Sequence, residues 1–138
     1  MAEYYSCILN NMDQLKLYHS DKVRWLDIDL DIELIKKYYE VLGNKIQKED
    51  FNDKWRLCAL IVNNDIISFG GALFMTSWNW EIGAVSTHPQ FRNKGYAKIV
   101  CSFIAHYILE NGKQATCNTD TDNIAMQKVM QAIGMVQQ

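Results

Sequence analysis

One stretch of this chain limits its fold more than any other. It is an apolar run, a proline, a glycine-containing turn and a long amphipathic helix, in that order. Glu81-Ile82-Gly83-Ala84-Val85-Ser86-Thr87 reads as a strand that His88-Pro89 stops. Beyond the turn Arg92-Asn93-Lys94-Gly95-Tyr96-Ala97, the segment Lys98 to Glu110 places Ile99, Phe103 and Tyr107 on one helical stripe, with Val100, Ile104 and Ile108 beside it. A helix that starts behind a strand leaves backbone N–H groups pointing out of its first turn, and its dipole favours negative charge there. That is a geometry for holding a pyrophosphate. Gly95 lets a phosphate approach the backbone, Ala97 keeps the next turn slim, and Arg92 and Lys94 add positive charge. No Gly-Lys-Ser/Thr and no three spaced glycines occur here, so the turn is neither a Walker loop nor the dinucleotide fingerprint. A plain connector is the competing reading of the turn.

The rest of the chain is organised around this unit. The first forty-odd residues read as mostly helical. Asp31 caps a predicted helix through Leu42, with Ile32, Leu34, Ile35, Tyr38, Tyr39 and Leu42 at three- and four-residue steps and Gly43 as its stop. The acidic run Asp27 to Glu33 is read as charge placed on that helix N-terminus, or as a patch attracting a cationic substrate. Three strands follow: Arg56 to Val62, Ile66 to Thr76 and Trp80 to Thr87, joined by turns at Asn63-Asn64-Asp65 and Ser77-Trp78-Asn79. Gly70-Gly71 within the second predicts a bulge or a close approach of another backbone. Gln114 to Thr119 reads as a further strand. Asp122 or Asn123 caps a last helix lined by Met126, Val129, Met130 and Ile133 and closed by Gly134. The predicted fold class is therefore α+β with a mixed sheet: an antiparallel meander followed by a right-handed βαβ unit.

Length and composition bound the function. A chain of 138 residues makes one domain, 1–138, and 49% hydrophobic residues are enough for a core. A net charge of −2 argues against nucleic-acid binding driven by general electrostatics. No apolar run is long enough for a membrane span and the N-terminus lacks the layout of a signal peptide. Cys7, Cys58, Cys101 and Cys117 are far apart, show no metal-ligand spacing and cluster with none of His19, His88 or His106. These features point to a reduced, cytoplasmic protein without a structural metal.

From about Trp55 to Met135 the residues resemble a GNAT-superfamily acyl-CoA N-acyltransferase. The resemblance rests on the strand into His88-Pro89, on Arg92 to Ala97 as the Arg/Gln-x-x-Gly-x-Gly/Ala signature, and on Asp122-Asn123-Ile124-Ala125-Met126 followed by Ile133-Gly134-Met135. It implies a GNAT-like fold around a splayed central sheet and acetyl-CoA (coenzyme A) as cofactor. It also implies that backbone N–H groups of Arg92, Asn93, Lys94, Gly95, Tyr96 and Ala97 hold the pyrophosphate. Val85, Ser86 and Thr87 would pair with the pantetheine arm, and Asn123 would contact it. The family's sheet normally continues beyond the Gly134-Met135 position, so truncated C-terminal strands and a homodimer covering the exposed edge are expected.

The resemblance further implies direct acetyl transfer to a primary amine, small-molecule or peptide. Glu81 stands where many members carry a glutamate and is the candidate base, acting directly or through a water; a solvent-facing strand end is its other reading. His88 has the chemistry of a base, but in the family it more often shapes the turn. Met130 occupies the position of the family's usual tyrosine proton donor. Cys117 reads as a small core residue rather than a nucleophile. The alternative function is a CoA-binding regulatory module that keeps the fold without turnover.

Overall fold

The computed structural model describes residues 3–138. Its strands are β1 (Tyr4–Leu9), β2 (Val23–Trp25), β3 (Trp55–Val62), β4 (Asp65–Leu73), β5 (Asn79–Thr87), β6 (Gln114–Asp120) and β7 (Val136–Gln137). Its α-helices are α1 (Ile32–Val41), α2 (Tyr96–Glu110) and α3 (Ile124–Ala132). Among the described residues the strands form one seven-stranded sheet in the order β2-β3-β4-β5-β6-β1-β7. Only β5 and β6 pair in parallel, through the α2 crossover; the other neighbours are antiparallel. This is the mixed α+β architecture that the sequence predicts.

The meander forms for local reasons. Asn63 and Asn64 both take left-handed backbone (φ 51 and 64) between β3 and β4, the conformation of a tight hairpin turn whose twist suits the flanking strands. The sheet separates two cores. On one face α1 packs Ile35 and Tyr38 against Leu57, Ala59 and Phe69. On the other, α2 and α3 pack Val100, Ile104, Ile108, Met130 and Ile133 against Cys58, Leu60, Ile82 and Cys117. Each buried aliphatic side chain contributes roughly 1.5–3 kcal/mol.

The N-terminal forty residues are not mostly helical. Residues 4–9 form β1, which runs antiparallel to β6 from Tyr4↔Asp120 to Leu9↔Ala115 and also pairs with the two-residue β7. Cys7 and Leu9 point into the core at 1% and 0% exposure, so this segment alternates with period two, as a strand does. Residues 23–25 form β2, paired with β3. Among the described residues of this segment, helical character is confined to α1 and a 3-10 turn at Met12–Gln14.

The acidic run also resolves. Asp31 makes a two-pronged contact with the Arg24 guanidinium (3.0 Å to each oxygen) and accepts from Asp27 N–H, while Asp27 accepts from the Asp29 and Leu30 N–H groups. Lys48 pairs with Asp29. These carboxylates shape the entry to α1, which is the local reading of the run.

Candidate functional site

The site begins where β5 and β6 separate. Their parallel pairing covers only Asn79↔Gln114, Trp80↔Ala115 and Glu81↔Thr116. Past Glu81, β5 stays paired with β4 on its other side, and its β6-facing edge is left without a strand. A bulge adds to the divergence: Gly71 pairs with Gly83 and Phe69 with Ser86, so Ala84 and Val85 stand opposite the single residue Gly70. Ala84 takes left-handed backbone at φ 55, a strained conformation for alanine. The expected irregularity at Gly70-Gly71 is present, with its extra residue in the facing strand. A Cβ at Gly70 would meet Ile104 and Val100 of α2 at 2.9 and 3.0 Å, so glycine here admits helix side chains.

Hydroxyl groups fix the free stretch from behind. Ser86 Oγ lies 2.7 Å from the Tyr38 hydroxyl of α1. Ser68, fully buried, donates to the Ser86 carbonyl and lies 3.1 Å from Thr87 Oγ1. Burial, the larger influence, pushes the Tyr38 phenol up to about 12.

The turn follows. His88 donates its N–H to the Ile67 carbonyl and accepts from Gln90 N–H through Nδ1 (3.1 Å), so its side chain caps the short 3-10 turn Pro89–Phe91. This is the turn-shaping role. Arg92 Nε donates to the Thr87 carbonyl at 3.1 Å. Asn93 (φ 64) and Gly95 (φ 85) are both left-handed, which folds the chain back so that Gly95 becomes the N-cap of α2. Among the described residues no side chain caps this helix start, and its first-turn N–H groups are left for a ligand or water.

These segments enclose a cavity of about 690 Å³. Val85, Ser86 and Thr87 line it from β5; Arg92, Asn93, Gly95, Tyr96 and Ala97 from the turn and α2; Asn123 from the start of α3. Asn123 caps α3 by accepting from Met126 N–H (3.1 Å) and donates to Thr119 Oγ1. Two expected residues stand elsewhere. Lys94 does not line the cavity, and its ammonium sits 5.8 Å from the centre of the Phe91 ring. Glu81 lies outside the cavity, at the point where the strands part, and accepts from Asn118 Nδ2.

The cavity also holds two cations that the sequence reading missed, Lys98 on the first turn of α2 and Lys128 on α3. Lys128 shares a helix face with Ala125, Val129 and Ala132, and that spacing of small residues beside a lysine was the available signal. Bare helix N–H groups, Arg92, Lys98 and Lys128 suit an elongated anionic ligand with phosphate groups, so the cavity fits coenzyme A.

Other side chains are settled as structure. Met130 is fully buried and does not line the cavity. Tyr107 packs against Trp25 and Trp80, whereas Tyr96 lines the cavity. All four cysteines are free and buried, and burial raises each thiol. Cys117 is thus core. Among the described residues no group of three or more His, Cys, Asp or Glu side chains is placed to hold a metal ion, and no helix is long and apolar enough to cross a membrane.

Residues 8–136 match the family described as Acetyltransferase (GNAT) domain. No curated protein matches the chain significantly. Among solved structures, the fold is similar to a protein ascribed to the GNAT acetyltransferases from Novosphingobium aromaticivorans, with a TM-score of 0.81 at 11% identity. That match covers 99% of this chain and 60% of the other. A GNAT-family acetyltransferase from Colwellia psychrerythraea gives 0.76 at 15% identity, with 99% and 54% covered. Aminoglycoside N-acetyltransferase AAC(6')-Iy, solved with the bisubstrate analogue CoA-S-monomethyl-acetylneamine, gives 0.67 at 19% identity, with 85% and 90% covered. The chain thus spans little more than half the length of the first two.

Proposed function

Because the chain belongs to the GNAT acetyltransferase family, we propose that it transfers an acetyl group from acetyl-CoA directly to a primary amine. One observation carries this reading. The free edge of β5 runs beside a cavity of about 690 Å³ that ends at the uncapped N-terminus of α2. An extended amide-bearing arm can add to such an edge as a strand would, with its diphosphate on the helix start.

Acetyl-CoA, when bound, supplies an acetyl group activated as a thioester. The first-turn N–H groups of α2, with Arg92 and Lys98, would hold the diphosphate. Val85, Ser86 and Thr87 would present backbone groups to the pantetheine amides, and a backbone N–H from this edge would serve as hydrogen-bond donor to the thioester carbonyl. Glu81 takes the proton from the acceptor ammonium, directly or through one water. Tyr96 is the phenol at the cavity wall. The acceptor is a small-molecule or peptide amine; the aminoglycoside analogue bound by the AAC(6')-Iy neighbour is one example of the class.

Two further parts of the proposal are a reducing, cytoplasmic setting, in keeping with Cys7 and Cys117 facing each other as strand partners with free thiols, and a homodimer through the edge at β7, where Val136 is 54% exposed. Sedimentation at micromolar concentration tests the dimer, and a monomer rejects it.

Calorimetric titration of acetyl-CoA into the protein and into an Arg92→Ala/Gly95→Glu variant tests the main reading, followed by thiol release with a panel of amines. Micromolar binding lost in the variant, with release by at least one amine, supports the transferase. The burial of Met130, which leaves α3 without a phenol at that position, favours a second reading: a CoA-binding module without turnover. Binding with no release by any amine selects it. No binding by the unmodified protein rejects both.

A further inference from the structure

Glu81 is not an isolated strand-end carboxylate. It closes the paired part of β5 and β6 opposite Thr116, and two residues further along β6 the side chain of Asn118 reaches back over the widening gap. Asn118 Nδ2 donates to Glu81 Oε1 at 2.5 Å. The Asn118 amide oxygen in turn accepts from Ser6 Oγ at 2.5 Å. Ser6 is the direct partner of Asn118 in the antiparallel β1–β6 ladder. One line of hydrogen bonds therefore joins three adjacent strands and ends on the carboxylate.

We propose that Asn118, oriented by Ser6, is a positioning residue for Glu81. This rests on Glu81 being the proton acceptor of the transferase. The chemistry of the two partners gives the chain its direction. A carboxylate only accepts, so the asparagine must turn its NH₂ towards Glu81. Its carbonyl then faces β1, where the Ser6 hydroxyl donates to it and holds the amide against a flip. An N–H on one carboxylate oxygen stabilises the charged form and fixes the plane of the group. Oε2 is left to take a proton. Among the described residues no Lys, Arg or His pairs with Glu81, so this amide is the partner that orients it.

The surroundings agree with an acceptor approaching here. Asn79, two residues before Glu81, donates to Thr116 Oγ1. Two residues after Glu81, a Cβ at Gly83 would lie 2.8 Å from the Trp55 ring, so the indole covers that position. Glu81 thus sits between a polar floor and an aromatic wall, a setting suited to a polar amine carried as its ammonium ion. The N-terminal strand contributes to the site through Ser6.

The test uses Asn118→Leu, Asn118→Asp and Ser6→Ala, with folding checked by thermal melts and acetyl-CoA titration. The decisive readout is the split of the kinetic constants with an amine that turns over. In Asn118→Leu and Asn118→Asp kcat falls roughly tenfold while acetyl-CoA affinity holds, and adding Asn118→Leu to Glu81→Gln causes no further loss. Ser6→Ala lowers kcat in the same way by less. An unchanged kcat in both Asn118 variants, or the same tenfold loss when Asn118→Leu is added to Glu81→Gln, overturns the proposal. Full activity in Glu81→Gln instead overturns the base reading beneath it.

Discussion

The Tyr38 hydroxyl lies 2.7 Å from Ser86 Oγ, tying the core helix α1 to the free stretch of β5 that lines the cavity. Tyr38 is 2% exposed and packs against Phe69 and Tyr39, so Tyr38→Phe keeps the packing and removes one hydrogen bond. It should cost about 1 kcal/mol of stability. Acetyl-CoA affinity should fall a fewfold, because Ser86 loses its anchor. Burial also raises the phenol to about 12. Its folded value lies above the ordinary one of about 10, so its contribution to stability is complete below pH 10 and is lost as pH rises towards 12. Urea denaturation from pH 8 to 11.5 should show a steeper alkaline decline in the unmodified protein than in Tyr38→Phe.

Gly134 and Gly112 make a matched pair. Both have left-handed backbone, at φ 96 and 74. A Cβ at Gly134 would fall 2.0 Å from the Gln14 carbonyl oxygen, where the chain after α3 meets the N-terminal segment and Lys16 N–H donates to Ile133. A Cβ at Gly112 meets nothing within 4 Å. Gly112→Ala should cost only the backbone strain, about 1–2 kcal/mol. Gly134→Ala should cost roughly 3 kcal/mol or more, since backbone must move. Chemical denaturation of both variants decides, and equal costs would refute the clash.

What the sequence reveals and what it hides follow from the range of the interactions involved. The β3–β5 meander, α2 and α3 are set by local periodicity and turn residues, and their expected bounds fall within a few residues of the observed ones. The cavity was legible because Gly95, Arg92 and Asn123 sit at element boundaries where caps and turns have residue signatures. β1 was hidden because its partner β6 lies more than a hundred residues away, and the alternation of Tyr5, Cys7 and Leu9 is too short to outweigh the helical pattern after it. Lys98 and Lys128 were hidden as ordinary lysines on helices; only tertiary packing turns them to one cavity. The contact from Asn118 to Glu81 needs the register of three strands, which no local pattern encodes.

Asp31 should make the protein sensitive to acid through Arg24. The side-chain hydrogen bond to the guanidinium, the largest influence, holds this carboxyl below its ordinary value near 4. A lowered carboxyl contributes stability above its unfolded value and loses it as pH falls through the folded one. Arg24→Ala should therefore destabilise the protein at pH 7 and leave it nearly unchanged near pH 2. Because Arg24 is half-exposed, the neutral-pH effect should stay near 1 kcal/mol or below. Thermal melts of both proteins across that range measure the difference, and a constant gap at all pH values would rule the ion pair out as its source.

Lys98 and Lys128 should differ in which phosphate they serve. Lys98 is on the first turn of α2, its Cε 3.3 Å from where a Cβ of Gly95 would stand, so it lies beside the proposed diphosphate cradle. Lys128 lines the same cavity from α3, away from that turn. A lysine–phosphate contact that is partly open to solvent is worth about 1 kcal/mol, close to a fivefold change in affinity. Lys98→Ala should weaken acetyl-CoA and its 3′-dephospho form alike. Lys128→Ala should weaken acetyl-CoA about fivefold and leave the dephospho form unaffected, as expected of a cation facing the ribose phosphate. Calorimetry with the two ligands at fixed ionic strength separates these outcomes. If Lys128→Ala binds acetyl-CoA as tightly as the unmodified protein, the ribose phosphate lies outside the α3 wall.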